Sequence, residues 1–236
     1  MWKEIWNLLS ERETLLSEAF DEAVDMLDLD REMFAKVTVA LEKNISQEEL
    51  KELRQMDKKL NKVQQDIRKK VFEHLAVSKG QDLLSGLVLT SIVIDLERIG
   101  DYSKNIGDLV SLFEGDIDLG DRKDMLYLQL ERSNKLFDLA RSALADQDKE
   151  AAKQCMRTYG KLSRDCDAML GEIIGEAKND AAVSKADLSL VLLMRYYKRV
   201  GAHLKNIASA TVAPFPMIGY SLKTKKKNGS SKKKDT

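Results

Sequence analysis

Glu97 and Asp101 stand four residues apart in the stretch "DLERIGDYSKNIGDLV", residues 95–110, and Asn105 and Asp108 continue the acidic and amide row. On a helix, side chains at that spacing share one face. Two like charges so placed repel by a few tenths of a kcal/mol. The row follows directly on the apolar run "LLSGLVLTSIVI", residues 83–94. Two arrangements answer this pattern. The row is a polar stripe turned to solvent, or it turns toward a positive charge, since an unpaired buried carboxylate is too costly to keep. A second row, Asp57 and Asn61, has the same spacing. Carboxylates from facing helices are how helical bundles hold metal ions. Oxygen-rich ligands favour magnesium, calcium, manganese or iron over a thiolate-type zinc site. Asp57, Asn61, Glu97 and Asp101 are the candidate ligands.

These rows need helices to carry them. The chain of 236 residues is 43% hydrophobic and 33% charged, with two prolines, both near the end. Such a composition points to an all-α protein with a real core. Apolar spacing of three and four runs through almost the whole chain. The spacing predicts a first helix from near Trp2 to Lys43, bending around Leu29. Ser46 with Glu49 forms a capping box that opens a second helix, with a stripe of Leu53, Met56, Leu60, Val63, Ile67 and Val71. The third helix is expected from Asp82 to Phe113, with its first half apolar all round and the most buried element. The fourth is expected over Arg122–Leu144 and the fifth over Lys149–Lys178, with Asp146 or Asp148 as N-cap. Ser184 with Asp187 resembles another capping box and opens the sixth, which is expected to reach Val212 before "APFPMIGY".

Six helices in two sets of three suggest a repeat. "ERIGDYSKNI" at 97–106 matches "KRVGAHLKNI" at 198–207 at an offset of 101, with five of ten residues identical. The same offset sets Leu87 on Leu188 and Leu89 on Leu190. "DKKLNKV" at 57–63 matches "SRDCDAM" at 163–169 more weakly. The expected organisation is a three-helix bundle over 1–114, a second over 120–213, and a tail over 214–236.

Charge is unevenly spread. Seven lysines lie between Lys223 and Lys234, and without residues 223–236 the chain holds 32 basic and 38 acidic side chains. The tail is expected to be disordered and to seek an anionic partner such as a membrane surface. A nucleic-acid partner is not expected. Cys155 and Cys166, eleven residues apart on one helix, would lie about 16 Å from each other, too far for a disulfide. Reduced thiols and a start without a signal peptide fit the cytoplasm. The longest uncharged internal run is too short to span a bilayer. Trp2 and Trp6, with Ile5 and Leu9, make an amphipathic start expected to pack on the bundle.

"DLERIGDYSKNI" resembles the signature of the PhoU family, whose helices carry a Glu/Asp-x-x-x-Asp motif. The similarity extends over nearly the whole chain in length, helix number, tandem repeat and motif position. It implies a regulator of phosphate uptake, associated with a Pst-type transporter and its sensor histidine kinase or with a Pit-type transporter, often dimeric. It implies a cation at Asp57, Asn61, Glu97 and Asp101, divalent or trivalent: iron, manganese, magnesium, calcium or zinc. The chain departs from the family pattern in its second repeat. Lys198 and Ala202 replace the acidic pair and Ser163 stands where the family often has an acid, so a Lys198–Asp167 ion pair is expected there instead of a metal.

Alternatives stay open on the residues alone. A carboxylate-bridged di-metal enzyme lives in similar bundles, but it usually shows Glu-x-x-His pairs. A helical scaffold with solvent-facing acidic rows fits too. No Gly-rich phosphate loop or nucleophile elbow is present, and a non-enzymatic role is expected. His74 and His203 lack partners at zinc spacing. Asp95 and Asp108 are expected at the surface, in ion pairs, or behind the candidate ligands as groups that support them.

Overall fold

The structure, a computed structural model, describes residues 14–112, 122–177 and 183–220. The Trp2 and Trp6 start, the 113–121 connection, the 178–182 connection and the lysine-rich tail lie outside the described residues. Among the described residues the fold is six α-helices: α1 Leu15–Lys43, α2 Gln47–Val77, α3 Leu83–Ser111, α4 Lys123–Ala145, α5 Lys149–Ala177 and α6 Lys185–Ser209. A 3₁₀ turn over Phe215–Met217 follows.

Local chemistry sets the ends. Thr14 caps α1 through its hydroxyl in a capping box with Ser17, so this helix opens there, later than the expected start near Trp2. It then runs unbroken through Leu29 to Lys43. Ser46 and Glu49 close the predicted box on α2, and Ser184 and Asp187 do so on α6. Asp148 accepts from the amides of Glu150 and Ala151 at 2.8 and 3.1 Å at the head of α5. Helix α6 stops at Ser209, short of Val212. There the chain turns, and the Thr211 hydroxyl donates to the Ala143 carbonyl at 2.8 Å, which pins the turn to the end of α4. Beyond Pro214 the chain folds back on α6. Gly219, at φ +82°, sits in the left-handed region, its amide donates to the Ser209 hydroxyl at 2.8 Å, and its carbonyl accepts from Lys205.

Helices α1, α2 and α3 pack on one another, as do α4, α5 and α6. The two sets meet through α3 against α6 and α1 against α4. Both pairs run antiparallel. Along α3 and α6, Asp95 meets His203 while Tyr102 meets Tyr196. Along α1 and α4, Asp28 pairs with Arg141 at 2.7 Å and Arg31 with Asp138 at 2.5 Å. Phe34, Phe137 and Tyr197 fill the join, with ring centroids 5.3 and 5.7 Å apart. Fully burying such side chains contributes about 1.5–3 kcal/mol each.

Helix α3 holds the largest share of buried residues among the described helices, as expected, but its first half is not enclosed on all sides. Leu83, Leu87 and Ile94 on α3 remain 51%, 40% and 41% exposed. Helix α3 is central, touching α1, α2 and α6, but three partners do not enclose a helix. Asp101, Asn105 and Asp108 continue along this same open stripe at 100° per residue.

Candidate functional site: an acidic cluster across α2 and α3

The acidic rows do meet. Asp57 on α2 faces α3 in the middle of the first three-helix set, and the group that brings it to Asp101 is Lys104. The Lys104 ammonium donates to Asp57 Oδ1 at 2.9 Å and to Asp101 Oδ1 at 3.1 Å. Arg98 Nη1 takes the other oxygen, Asp101 Oδ2, at 3.1 Å, and Arg98 Nε stands 3.6 Å from Glu97 Oε2. Asp57 and Glu97 are largely buried, with side chains 14% and 16% exposed. Asn61 does not join: its amide Nδ2 donates to the Asp57 backbone carbonyl at 3.0 Å, along its own helix.

The electrostatics follow from burial. Desolvation raises the Glu97 carboxyl above its ordinary value, and the Asp101 charge adds to this. Burial works against the Lys104 charge, but hydrogen bonds to Asp57 and Asp101 outweigh it, and the ammonium titrates above its ordinary range. Three acidic and two basic side chains therefore form one network across α2 and α3.

Behind the network lies a residue that the spacing rules passed over. Asp30 on α1 is fully buried, and among the described residues neither carboxylate oxygen has a hydrogen-bond partner. Burial, with a further contribution from Glu97, holds its carboxyl well above the usual aspartate range. It packs against Gly100: a Cβ there would fall 3.2 Å from Asp30 Oδ1 and 2.4 Å from a Leu60 methyl. Its signal in the sequence was its place in the apolar stripe of Met26, Leu27, Met33 and Phe34.

The second set answers differently. Lys198 Nζ lies 2.5 and 2.6 Å from the two oxygens of Asp167, the expected ion pair. Lys205, one repeat on from Lys104, finds no aspartate. Its ammonium donates to the Gly219 carbonyl and lies 5.6 Å from the centre of the Tyr159 ring. Burial lowers its affinity for a proton, with Asp95 and Cys155 acting the other way. The register of α5 explains this. Gly100 packs on Leu60 and Gly201 on Leu162 and Tyr159, which sets Asp57 against Tyr159 at an offset of 102. Leu53, Ile67 and Val71 then match Cys155, Met169 and Ile173, all buried. The weaker match of residues 57–63 to 163–169 was one helical turn out of register, an error that helical periodicity largely conceals.

Asp95 and His203 form the other polar junction. His203 Nδ1 lies 2.7 Å from Asp95 Oδ1, Asn206 donates to the same oxygen at 2.8 Å, and the imidazole stacks on Tyr102. Asp108 receives Arg54 at 3.3 Å. Both cysteines are buried on α5 and their thiols are pushed up to about 12 by burial.

The model of the PhoU domain matches residues 23–110 and again 128–211. The chain belongs to the PhoU domain family. The two matches coincide with the two sets of three helices. The chain is 27% identical over 175 residues to the phosphate-specific transport system accessory protein PhoU homolog of Caulobacter vibrioides, across 70% of this chain and 72% of that protein. Two crystal structures share its fold at 20% identity. PhoU from Pseudomonas aeruginosa has a TM-score of 0.75, with 84% of this chain and 95% of that one covered. The phosphate transport system regulatory protein PhoU from Streptococcus pneumoniae has a TM-score of 0.72, with 84% and 93% covered.

The residues present do not fit a metal at the acidic rows. Among the described residues no three His, Cys, Asp or Glu side chains gather as a ligand set. Both oxygens of Asp101 and one of Asp57 are taken by cations of the chain itself, and Asn61 is turned aside. Among the described residues, no helix is long and apolar enough to cross a membrane.

Proposed function

We propose that the chain is an accessory protein of phosphate transport that regulates uptake by protein contact rather than by chemistry of its own. The observation that carries this reading is the PhoU domain match in both halves of the chain. The name of the Caulobacter vibrioides relative adds the association with phosphate-specific transport. The partners would be a Pst- or Pit-type phosphate transporter and a sensor histidine kinase at the cytoplasmic face of the membrane. A homodimer is part of the same proposal.

The surface supports contact with another protein. Leu83, Leu87 and Ile94 lie within one stripe of α3, and Leu188, one repeat on from Leu87, is 57% exposed on α6. The test is cross-linking and capture from native membranes at high and low phosphate. Enrichment of transporter or kinase subunits, altered by phosphate and weakened by Leu87→Glu with Leu188→Glu, is the expected result. Capture of neither class under either condition would overturn the proposal.

A further inference from the structure

We propose that Lys104 is the resident cation of the acidic cluster, a tethered ammonium that takes the place a metal ion would hold between α2 and α3. The geometry carries this. One ammonium bridges Asp57 and Asp101, on two different helices, at 2.9 and 3.1 Å. Its side chain is 25% exposed and that of Asp57 14%, so the bridge lies partly out of solvent. Arg98 covers the remaining oxygen of Asp101 and approaches Glu97.

A hard cation needs about six oxygens in close, regular array. To enter here it would have to expel both basic side chains and gather a carboxylate that Arg98 flanks. A lysine of the chain needs no such rearrangement. Being tethered, it competes at an effective concentration that no free ion at trace level matches. The second repeat pairs one lysine with an aspartate and seats the equivalent of Lys104 elsewhere. Lys198 sits on Asp167, and Lys205 is seated on a carbonyl and an aromatic ring.

The test uses the purified full chain, its bound metal content, and melting curves with EDTA or about 1 mM Mn²⁺, a ligand that stabilises any folded state it binds. The unmodified chain is expected to carry less than one metal per chain and to shift its Tm by less than about 1 °C under either addition. Lys104→Gln is expected to melt several degrees lower and to recover part of that loss with Mn²⁺. Adding Asp57→Asn to it should abolish the recovery. Lys104→Arg should keep both the Tm and the indifference to Mn²⁺. One or more tightly held metals per chain in the unmodified protein, with a fall in Tm on their removal, would overturn the proposal. So would a Lys104→Gln variant that melts normally or ignores Mn²⁺. Should that variant fail to fold, the unmodified chain and Lys104→Arg decide the matter: metal dependence in the first or loss of stability in the second refutes it.

Discussion

The two repeats share a backbone plan and a lysine position but surround that lysine in opposite ways. In the first, Lys104 lies between two aspartates from two helices. In the second, Lys205 is half-buried against Tyr159 and the carbonyl of Gly219, and the ion pair moves outward to Lys198 and Asp167, whose carboxylate is 57% exposed. Among the described residues the first repeat also buries the Asp30 carboxyl without a partner, whereas the second leaves unpartnered only the neutral Tyr197 hydroxyl and the His203 Nε2. The shared cluster of carboxylates around one ammonium is therefore found in the first half. A duplicated fold can keep its core periodicity while one copy sets its lysine between carboxylates and the other seats it on a carbonyl and a ring.

That contrast can be broken most strongly at Asp30. An unpartnered buried polar group costs roughly 1–3 kcal/mol. Replacing it with a near-isosteric apolar side chain, Asp30→Leu, should raise the free energy of unfolding by about 2 kcal/mol at neutral pH, measured by denaturant titration. The pH dependence has a definite sign. A carboxyl raised by burial stays protonated in the fold while the unfolded chain ionises near 3.8. Stability is thus full below that value and declines as pH rises through the raised folded value. The Asp30→Leu variant should lose much of that decline, and an unchanged pH profile would show that Asp30 is not its source.

A smaller difference is expected at the paired glycines. A methyl at Gly100 would fall 2.4 Å from a Leu60 methyl, whereas at Gly201 the nearest contact is 3.1 Å. Overpacking a core costs about 1–3 kcal/mol, against a helix gain for alanine of up to about 1. Gly100→Ala should therefore destabilise by about 1 kcal/mol, and Gly201→Ala should be close to neutral. Equal losses would mean that the α2–α3 and α5–α6 contacts are equally close.

Much of this plan was legible in the residues. The boxes at Ser46 with Glu49 and Ser184 with Asp187 announced two helix starts because a side-chain cap is a local interaction. The match of 97–106 to 198–207 announced the tandem repeat because the close approach of α3 to α2 and of α6 to α5 constrains Gly100 and Gly201 alike. What stayed hidden was non-local. Lys104 lies three residues from Asp101, a legible pairing distance, but its reach to Asp57 depends on how α2 lies against α3. Asp30 sits in an apolar stripe, and helical period alone says it is buried but not that it lacks a partner. The open stripe of Leu83, Leu87 and Ile94 could not be told from a buried one, since an apolar helix face is silent about how many neighbours cover it.

The two lysine–aspartate pairs give the most telling comparison. A double-mutant cycle with Lys104→Gln and Asp57→Asn, run beside one with Lys198→Gln and Asp167→Asn, measures how strongly each repeat is held by its own cation. The partly buried, charge-assisted bridge should show a coupling of about 1–2 kcal/mol. The exposed pair should show at most about 0.5. A first-repeat coupling indistinguishable from zero, or smaller than that of Lys198 with Asp167, would contradict the claim that Lys104 closes the acidic cluster from within.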